Sequence, residues 1–140
     1  MTGYVVLLAV LVAATAFGLW WRRRNGRVRE VAEQPTELAA LTSLGVEPGA
    51  APVTLVQFSS AFCQPCRATR RILTEVVQLL PSVRHVEVDA ESHLDAVRDL
   101  RILRTPTVLV LDSAGRIVRR ASGQPRKADV IAAVAPYLAS

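Results

Sequence analysis

The sequence of 140 residues is poor in cysteine and in aromatic side chains, and both shortages exclude classes of protein. Two cysteines cannot build the set of disulfide bonds that holds small secreted scaffolds together. Because aromatic residues make up only 5% of the chain, it lacks the stacking side chains that many nucleic-acid-binding domains use. Internal repeats and low-complexity segments are also missing. The length therefore leaves room for one small domain and a short appendage.

The net charge of +5 also raises the question of a nucleic-acid partner, but the excess is local. Residues 1–30 contain five arginines and one glutamate, whereas residues 31–140 contain 12 basic and 11 acidic side chains. A basic cluster beside an apolar segment is attracted to anionic lipid headgroups and fixes membrane topology. We therefore expect a membrane partner and no nucleic acid.

The stretch from Gly3 to Trp21 contains no charged residue and is followed directly by three arginines. As a helix, its 19 residues would be about 28 Å long, close to the thickness of the hydrocarbon layer. A buried core helix would have polar positions at a period of 3.6 residues, and only Thr15 is polar within the run. A cleaved signal peptide would need a basic region before the run and a small-residue site after it. Here Met1 and Thr2 precede the run, and bulky tryptophan residues end it, followed by arginines. Residues 3–21 are therefore predicted to cross the membrane.

Composition divides the chain into an anchor at 1–21, a basic juxtamembrane linker at 22–35 and a folded domain at 36–140. In the domain, segments with strand and helix patterns alternate and end in a hairpin and a helix. The predicted strands are 53–58, 83–88, 107–111 and 117–121; the predicted helices are 64–80, 92–103 and 126–138; residues 37–45 form a short helix or a mixture of strand and turn. Apolar residues recur at helical spacing in 64–80, and in the helix at 92–103 Leu94 is expected to face the core. This order predicts an α/β fold, a mixed sheet with helices on both faces.

Cys63 and Cys66 lie where the first long strand passes into a helix. A spacing of three residues brings both side chains to one face, so that the two sulfurs can close a small ring. The free N–H groups and the dipole at a helix N-terminus favour the thiolate of Cys63, which can attack a substrate disulfide. Cys66 would then attack the mixed disulfide and release the product. Pro65 restricts the backbone between the cysteines, and Arg67 adds a nearby positive charge.

The segment VQFSSAFCQPCR, residues 56–67, resembles the active-site stretch of thioredoxin-like proteins. Thr105-Pro106-Thr107, at the start of a strand, is similar to that family's cis-proline loop, and Gly115 and Gly123 also match. The resemblance covers about residues 50–140. It implies a thioredoxin-like fold behind the transmembrane helix.

The resemblance also implies a function and the residues that perform it. The family exchanges disulfides with protein substrates, is recharged by a redox partner and has no bound cofactor. By position, Cys63 would be the nucleophile and Cys66 the resolving cysteine. Thr105 and Pro106 would bind the substrate.

Four positions depart from the family pattern. Gln57 stands six residues before the first cysteine, where thioredoxins usually have a buried acid. Phe62 replaces an indole next to that cysteine, Ser59 replaces another aromatic residue, and His85 lies where the third strand usually has a lysine. The groups that handle protons are therefore altered. Gln57 is expected to hydrogen-bond locally, and His85 to be a half-exposed strand residue, while a part for either in proton transfer stays open.

Two other functions remain alternatives to a tethered oxidoreductase. The domain could be a redox-inert binding module that holds a partner in the cis-proline groove, or a metal carrier that uses the cysteine pair. His85 and His93 are the other soft metal ligands, and their spacing from the cysteines is outside that of structural zinc sites, so no metal site is predicted.

The arginines that follow the apolar run predict the side of the membrane on which the domain lies. Basic residues beside a first transmembrane segment stay in the cytoplasm, so we expect a single-pass protein of the cell membrane with a cytoplasmic redox domain. The alternative is an extracytoplasmic domain, as in many tethered relatives.

Overall fold

The computed structural model describes residues 1–24, 26, 28–30 and 35–139. Its helices are α1 (Thr2–Arg24), α2 (Pro35–Ser43), α3 (Gln64–Leu79), α4 (Leu94–Asp99) and α5 (Lys127–Leu138). Its strands are β1 (Val28–Glu30), β2 (Val53–Ser59), β3 (Val83–Asp89), β4 (Thr107–Leu111) and β5 (Ile117–Ser122). A single 3-10 turn in this part of the chain, Ala90–Ser92, precedes α4.

The five described strands form one mixed sheet in the order β1-β5-β4-β2-β3. The central strand β2 runs parallel to β3 and antiparallel to β4, and β5 is antiparallel to both β4 and β1. All seven residues of β2 are buried, because a strand between two neighbours with helices on both faces has no side open to water. The predicted α/β fold with a mixed sheet is confirmed.

The sheet separates two hydrophobic cores. Alternate residues of β2 point to opposite faces, so Phe58 enters one core and Leu55 the other. The first core lies under α2 and α4, with Leu41 and Leu100 fully or almost fully buried. The second lies under α3 and α5 and includes Leu73 and Val134. Gln57 shares the face of Leu55, the side on which α3 starts.

The segment at 22–35, predicted as a linker, contributes an edge strand to the sheet. Val28 to Glu30 pair antiparallel with β5, with Val28 opposite Ala121. The helix predicted to be an anchor extends through Arg24. Three residues with one apolar side chain show no alternation from which a strand is predicted. The sheet therefore begins within a few residues of the end of α1.

Two segments differ from their predicted bounds. Of the two alternatives for residues 37–45, the structure has the helix, which is α2 at Pro35–Ser43. The helix expected at 92–103 is split into the 3-10 turn and the short α4, and Leu94, expected to face the core, is 56% exposed. Asp89 accepts a hydrogen bond from the backbone N–H of Glu91, which sets the turn that shifts the register. At the end of α2, Gly45 has φ of +76° and its N–H donates to the carbonyl of Thr42, a C-terminal glycine cap.

Candidate active site

The two cysteines form a disulfide at the N-terminus of α3. The S–S distance is 2.10 Å and the Cα atoms are 5.2 Å apart. Cys63 is the N-cap, and its Sγ accepts a hydrogen bond of 3.2 Å from the backbone N–H of Cys66. Pro65 occupies the first turn, where the missing N–H would have no partner in the helix. The site therefore gives the sulfur of Cys63 a donor and the positive end of a helix, both of which stabilise a thiolate.

The two sulfurs differ in access. Cys66, in the first turn of α3, is 2% exposed, whereas Cys63 is partly exposed. A protein partner can therefore approach Cys63 and is kept away from Cys66. The assignment of Cys63 as nucleophile and Cys66 as resolving cysteine stays a prediction. Arg67 lies on the exposed side of α3, so the effect of its charge on the thiolate is screened by water.

Gln57 is completely buried beneath the cysteine pair and all of its hydrogen-bonding groups are used. Its Nε2 donates to the carbonyl of Cys66 at 2.9 Å and to Oγ of Ser59 at 3.0 Å. Its Oε1 lies 3.1 Å from Nε2 of His85, which donates to it in the Nε2–H tautomer. The hydrogen bonds of Gln57 thus connect the first turn of α3 to β2 and β3, and its neutral amide places no charge in the core.

Titratable side chains from the edge strand β3 and from α3 lie near Gln57. Burial lowers the pKa of His85, with Arg70 adding to the decrease and Glu87 opposing it. Arg70 donates two hydrogen bonds of 2.5 Å to the carboxylate of Glu87, which lowers the pKa of Glu87. The sequence pattern did not select Arg70 or Glu87, because their pairing depends on how α3 crosses β3.

The loop before β4 lies near the turn that contains the cysteine pair, and its residues Thr105 and Pro106 share a groove with Pro65. The Thr105–Pro106 peptide bond is cis. Oγ1 of Thr105 lies 2.7 Å from Oγ of Ser60, which links this loop to the turn that leads to Cys63. The N–H of Gly123 donates to the carbonyl of Pro106 at 2.7 Å. The predicted substrate-binding residues thus line one groove with Pro65, which lies between the cysteines. Ser60, which the sequence did not single out, joins them through its hydrogen bond to Thr105.

Two large apolar side chains near the site are open to water. Phe62, next to Cys63, is 96% exposed and has φ of +58°, and Leu103, two residues before Thr105, is 94% exposed. Exposed apolar side chains beside a reactive group are typical of protein contact surfaces. Leu103 was expected at the end of a helix, and no signal in the sequence marked it as exposed.

A groove of about 730 Å³ lies beside the disulfide. One wall is formed by Pro65, Thr105 and Pro106, and the turn after β5 forms another. The end of α1 also lines the groove, with Leu19, Arg22 and Arg23.

Comparison with known proteins gives a consistent result. The family model described as Thioredoxin matches residues 46–136. Mitochondrial thioredoxin-3 of Saccharomyces cerevisiae is 28% identical over 69 residues, which are 49% of this chain and 54% of that protein. The chain thus aligns with about half the length of this curated relative.

Solved structures agree in fold. The oxidised crystal structure of mitochondrial thioredoxin 3 from Saccharomyces cerevisiae superposes with a TM-score of 0.55 at 19% identity, covering 63% of this chain and 81% of that one. A mutant thioredoxin from Halobacterium salinarum gives a TM-score of 0.59 at 12% identity, with 64% and 78% covered. At these identities the likeness concerns the fold.

Proposed function

The chain belongs to the thioredoxin family, and from that premise we propose that it is a membrane-tethered thiol–disulfide oxidoreductase acting on protein disulfides. The observation that carries this proposal is the Cys63–Cys66 disulfide at a helix N-terminus, with one sulfur accessible and the other buried. A purely structural role is a weak explanation for the pair, because so small a ring constrains the unfolded chain little.

The proposed reaction starts from the reduced pair. The thiolate of Cys63 attacks one sulfur of the partner's disulfide, forms a mixed disulfide and expels the other partner sulfur as a thiolate. The thiol of Cys66 loses its proton and attacks Sγ of Cys63, which releases the second partner thiolate. Two electrons pass to the partner and the Cys63–Cys66 bond forms. The partner's two thiolates take up two protons, one released by Cys66 and one from the solvent. Oxidation of a partner dithiol is the same sequence in reverse.

Substrate binding is assigned to the backbone around Thr105 and Pro106. An extended partner segment can pair with the main chain beside a strand, which gives affinity without demanding one sequence. Ser60 supports this loop through its hydrogen bond to Thr105. Gln57 supports the resolving cysteine by holding its carbonyl, and Pro65 holds the turn between the sulfurs.

The tether is assigned to α1. This helix is long and apolar enough to cross a membrane, and none of its residues is buried in the protein. Near its end the ring of Phe17 lies 5.9 Å from Trp20 and 5.8 Å from Trp21, and the Arg24 guanidinium lies 5.1 Å from the Trp20 ring. Aromatic rings followed by arginines are typical of the boundary between lipid and water. We place the redox domain, residues 36–140 together with strand β1 of the basic segment at 22–35, in the cytoplasm.

The activity is tested with the full chain in lipid vesicles. After reduction and removal of the reductant, the protein should reduce one equivalent of a disulfide peptide, and Cys63→Ser should abolish the reaction. Cys66→Ser should accumulate a mixed disulfide, because the covalent intermediate then has no fast intramolecular exit. Equal product from the native protein and Cys63→Ser would refute the proposal.

The orientation is tested separately. Alkaline phosphatase, which is active only outside the cytoplasm, is fused after Ser140. We expect an inactive fusion in cells. A fully active one would place the redox domain on the other side of the membrane and leave the chemistry unchanged.

A further inference from the structure

The membrane helix is joined to the folded domain by a very short connection. Helix α1 ends at Arg24, and two residues later the N–H of Gly26 donates to the carbonyl of Ser122 at 2.8 Å. Two residues span at most about 7 Å. Gly26 has φ of +75°, and a Cβ there would lie 1.9 Å from the carbonyl oxygen of Gln124. The chain therefore leaves α1 and packs at once against the turn that follows β5.

The same turn contacts the loop that carries the predicted substrate-binding residues. The N–H of Gly123 donates to the carbonyl of Pro106 at 2.7 Å. The Arg104 guanidinium donates to the carbonyl of Ser122 at 2.6 Å. Successive hydrogen bonds thus connect Gly26 to the turn, and the turn to the loop at Pro106. The position of the redox site relative to the end of the anchor is set by these contacts.

The groove beside the disulfide consequently has the end of α1 as one wall. Leu19 belongs to the apolar run, while Arg22 and Arg23 are expected among the lipid headgroups. The lining also includes Pro65, between the cysteines, and Pro106. We propose that this groove binds a disulfide-bearing, acidic segment of a membrane protein, held at the level of the lipid headgroups. The inference rests on the proposed function and specifies its substrate class.

The charge of the groove determines the chemistry of the partner. Four of the lining residues are arginines and one is an aspartate; they are Arg22, Arg23, Arg104, Arg126 and Asp129. The Arg126 side chain is 80% exposed although its Nε donates to Asp129 at 2.8 Å. Like charges across an interface suppress binding and opposite charges increase the association rate. An acidic segment therefore fits, whereas a lipid headgroup alone would leave the wall at Pro65 and Pro106 unexplained.

The position is tested with reduced full chain in vesicles and three disulfide probes of one acidic sequence. The near probe lies within five residues of a transmembrane helix, the far probe follows a rigid helical spacer of about 37 Å, and the third is a soluble peptide. We expect the near probe to be reduced about tenfold faster than the far probe, because a partner at the correct height has a higher effective concentration.

The matched control is a variant with a 20-residue Gly/Ser insertion directly after Arg24, a spacer of about 25 Å. It should lose the preference for the near probe and still reduce the soluble peptide. Equal rates of the native chain on the near and far probes would overturn the inference. Failure on the soluble peptide as well would instead reject the oxidoreductase itself.

The charge is tested on the near probe with acidic or basic flanks. The native chain should prefer acidic flanks by about fivefold, and Arg126→Glu should remove most of that preference. Arg98→Glu makes the same change on α4, outside the groove, and should leave the preference intact. If flanking charge has no effect while anionic lipid slows the near probe, a headgroup occupies the groove and the proposed occupant is wrong.

Discussion

Helices α1 and α3 distribute their apolar residues in different ways. The 23 residues of α1 have apolar side chains all around the helix, and none is buried in the protein. The 16 residues of α3 bury one face, with Leu73 and Val76 completely inside the second core, and expose the other. A helix that is apolar on all sides needs an apolar environment on all sides, whereas an amphipathic helix needs only one packed surface.

The difference shows how the two helices divide the work of the protein. The charges at the end of α1 are arginines that can remain among lipid headgroups, and they lie at one wall of the groove. The N-terminus of α3 carries the cysteines, and its buried face fixes them above Gln57. Thus α1 would determine where the reaction takes place, and α3 how it takes place. Changes in the apolar middle of α1 should affect the location and spare the reaction, and changes in the buried face of α3 should affect the redox site and spare the location.

The largest effect is expected from charges in the middle of α1. In Leu8→Arg with Val12→Arg, each arginine should oppose membrane insertion by about 2.5–3.5 kcal/mol. Fractionation of cells should find the variant outside the membrane pellet. The redox rate of the purified protein on a soluble disulfide peptide should not change, because neither residue contacts the domain core.

The matched control for this variant is Leu8→Ala with Val12→Ala, which keeps the segment apolar and should remain in the membrane. Full membrane retention of the double-arginine variant would show that α1 is not the tether.

The second effect concerns the buried face of α3. Leu73→Ala leaves a cavity in the second core and should lower the free energy of unfolding by about 2–5 kcal/mol. Leu79→Ala, on the same helix but 58% exposed, should cost much less. Urea unfolding of the full chain in detergent micelles measures both. Equal losses would mean that α3 does not pack as described.

The fold was predictable where a pattern is local and long. The alternation of strands and helices indicated the mixed sheet, and the regular apolar spacing of α3 indicated its buried face. Strand β1 was missed because three residues carry no period, and they become a strand only by pairing with β5. Leu94 was placed in the core because a helix was extended over a 3-10 turn set by Asp89.

The site was predictable where its parts are adjacent in sequence. Cys63 and Cys66 occur with Pro65 in one short motif, and resemblance added Thr105 and Pro106. The contact of Gln57 with His85 depends on the register of two parallel strands, in which Leu55 lies opposite His85. The contact of Gly26 with the turn after β5 depends on tertiary structure alone. Neither contact leaves a local pattern in the sequence.

A third change sharpens the account of how α3 is held. Gln57→Glu keeps the shape but replaces the donor to the Cys66 carbonyl with an acceptor, which should lower the free energy of unfolding by about 1–3 kcal/mol at pH 8. Near neutral pH it should also speed the resolving step, because the new carboxylate can accept a proton near Cys66. Urea unfolding and stopped-flow measurement of mixed-disulfide decay test both effects.

The control for this variant is Gln78→Glu, the same substitution on the exposed side of α3, which should change neither quantity. If Gln57→Glu resembles that control in stability, the hydrogen bond to Cys66 contributes nothing to holding the helix.

The smallest effect is expected at His85, on the outer side of the Gln57 network. Burial lowers the pKa of His85 in the folded protein below its ordinary value of 6.5. Between these two pKa values the unfolded chain binds more protons than the folded one, so stability rises with pH in that window. The contribution is complete above about pH 6.5 and is lost as the pH falls through the folded pKa.

A single proton limits the slope of this pH dependence to about 1.4 kcal/mol per pH unit. His85→Gln retains a donor toward Gln57 Oε1 and should flatten the stability profile of the full chain in micelles below about pH 6.5. His93→Gln, at an exposed position, should leave the profile unchanged. Native and His85→Gln profiles of equal slope would mean that another group on β3 or α3 carries the pH dependence.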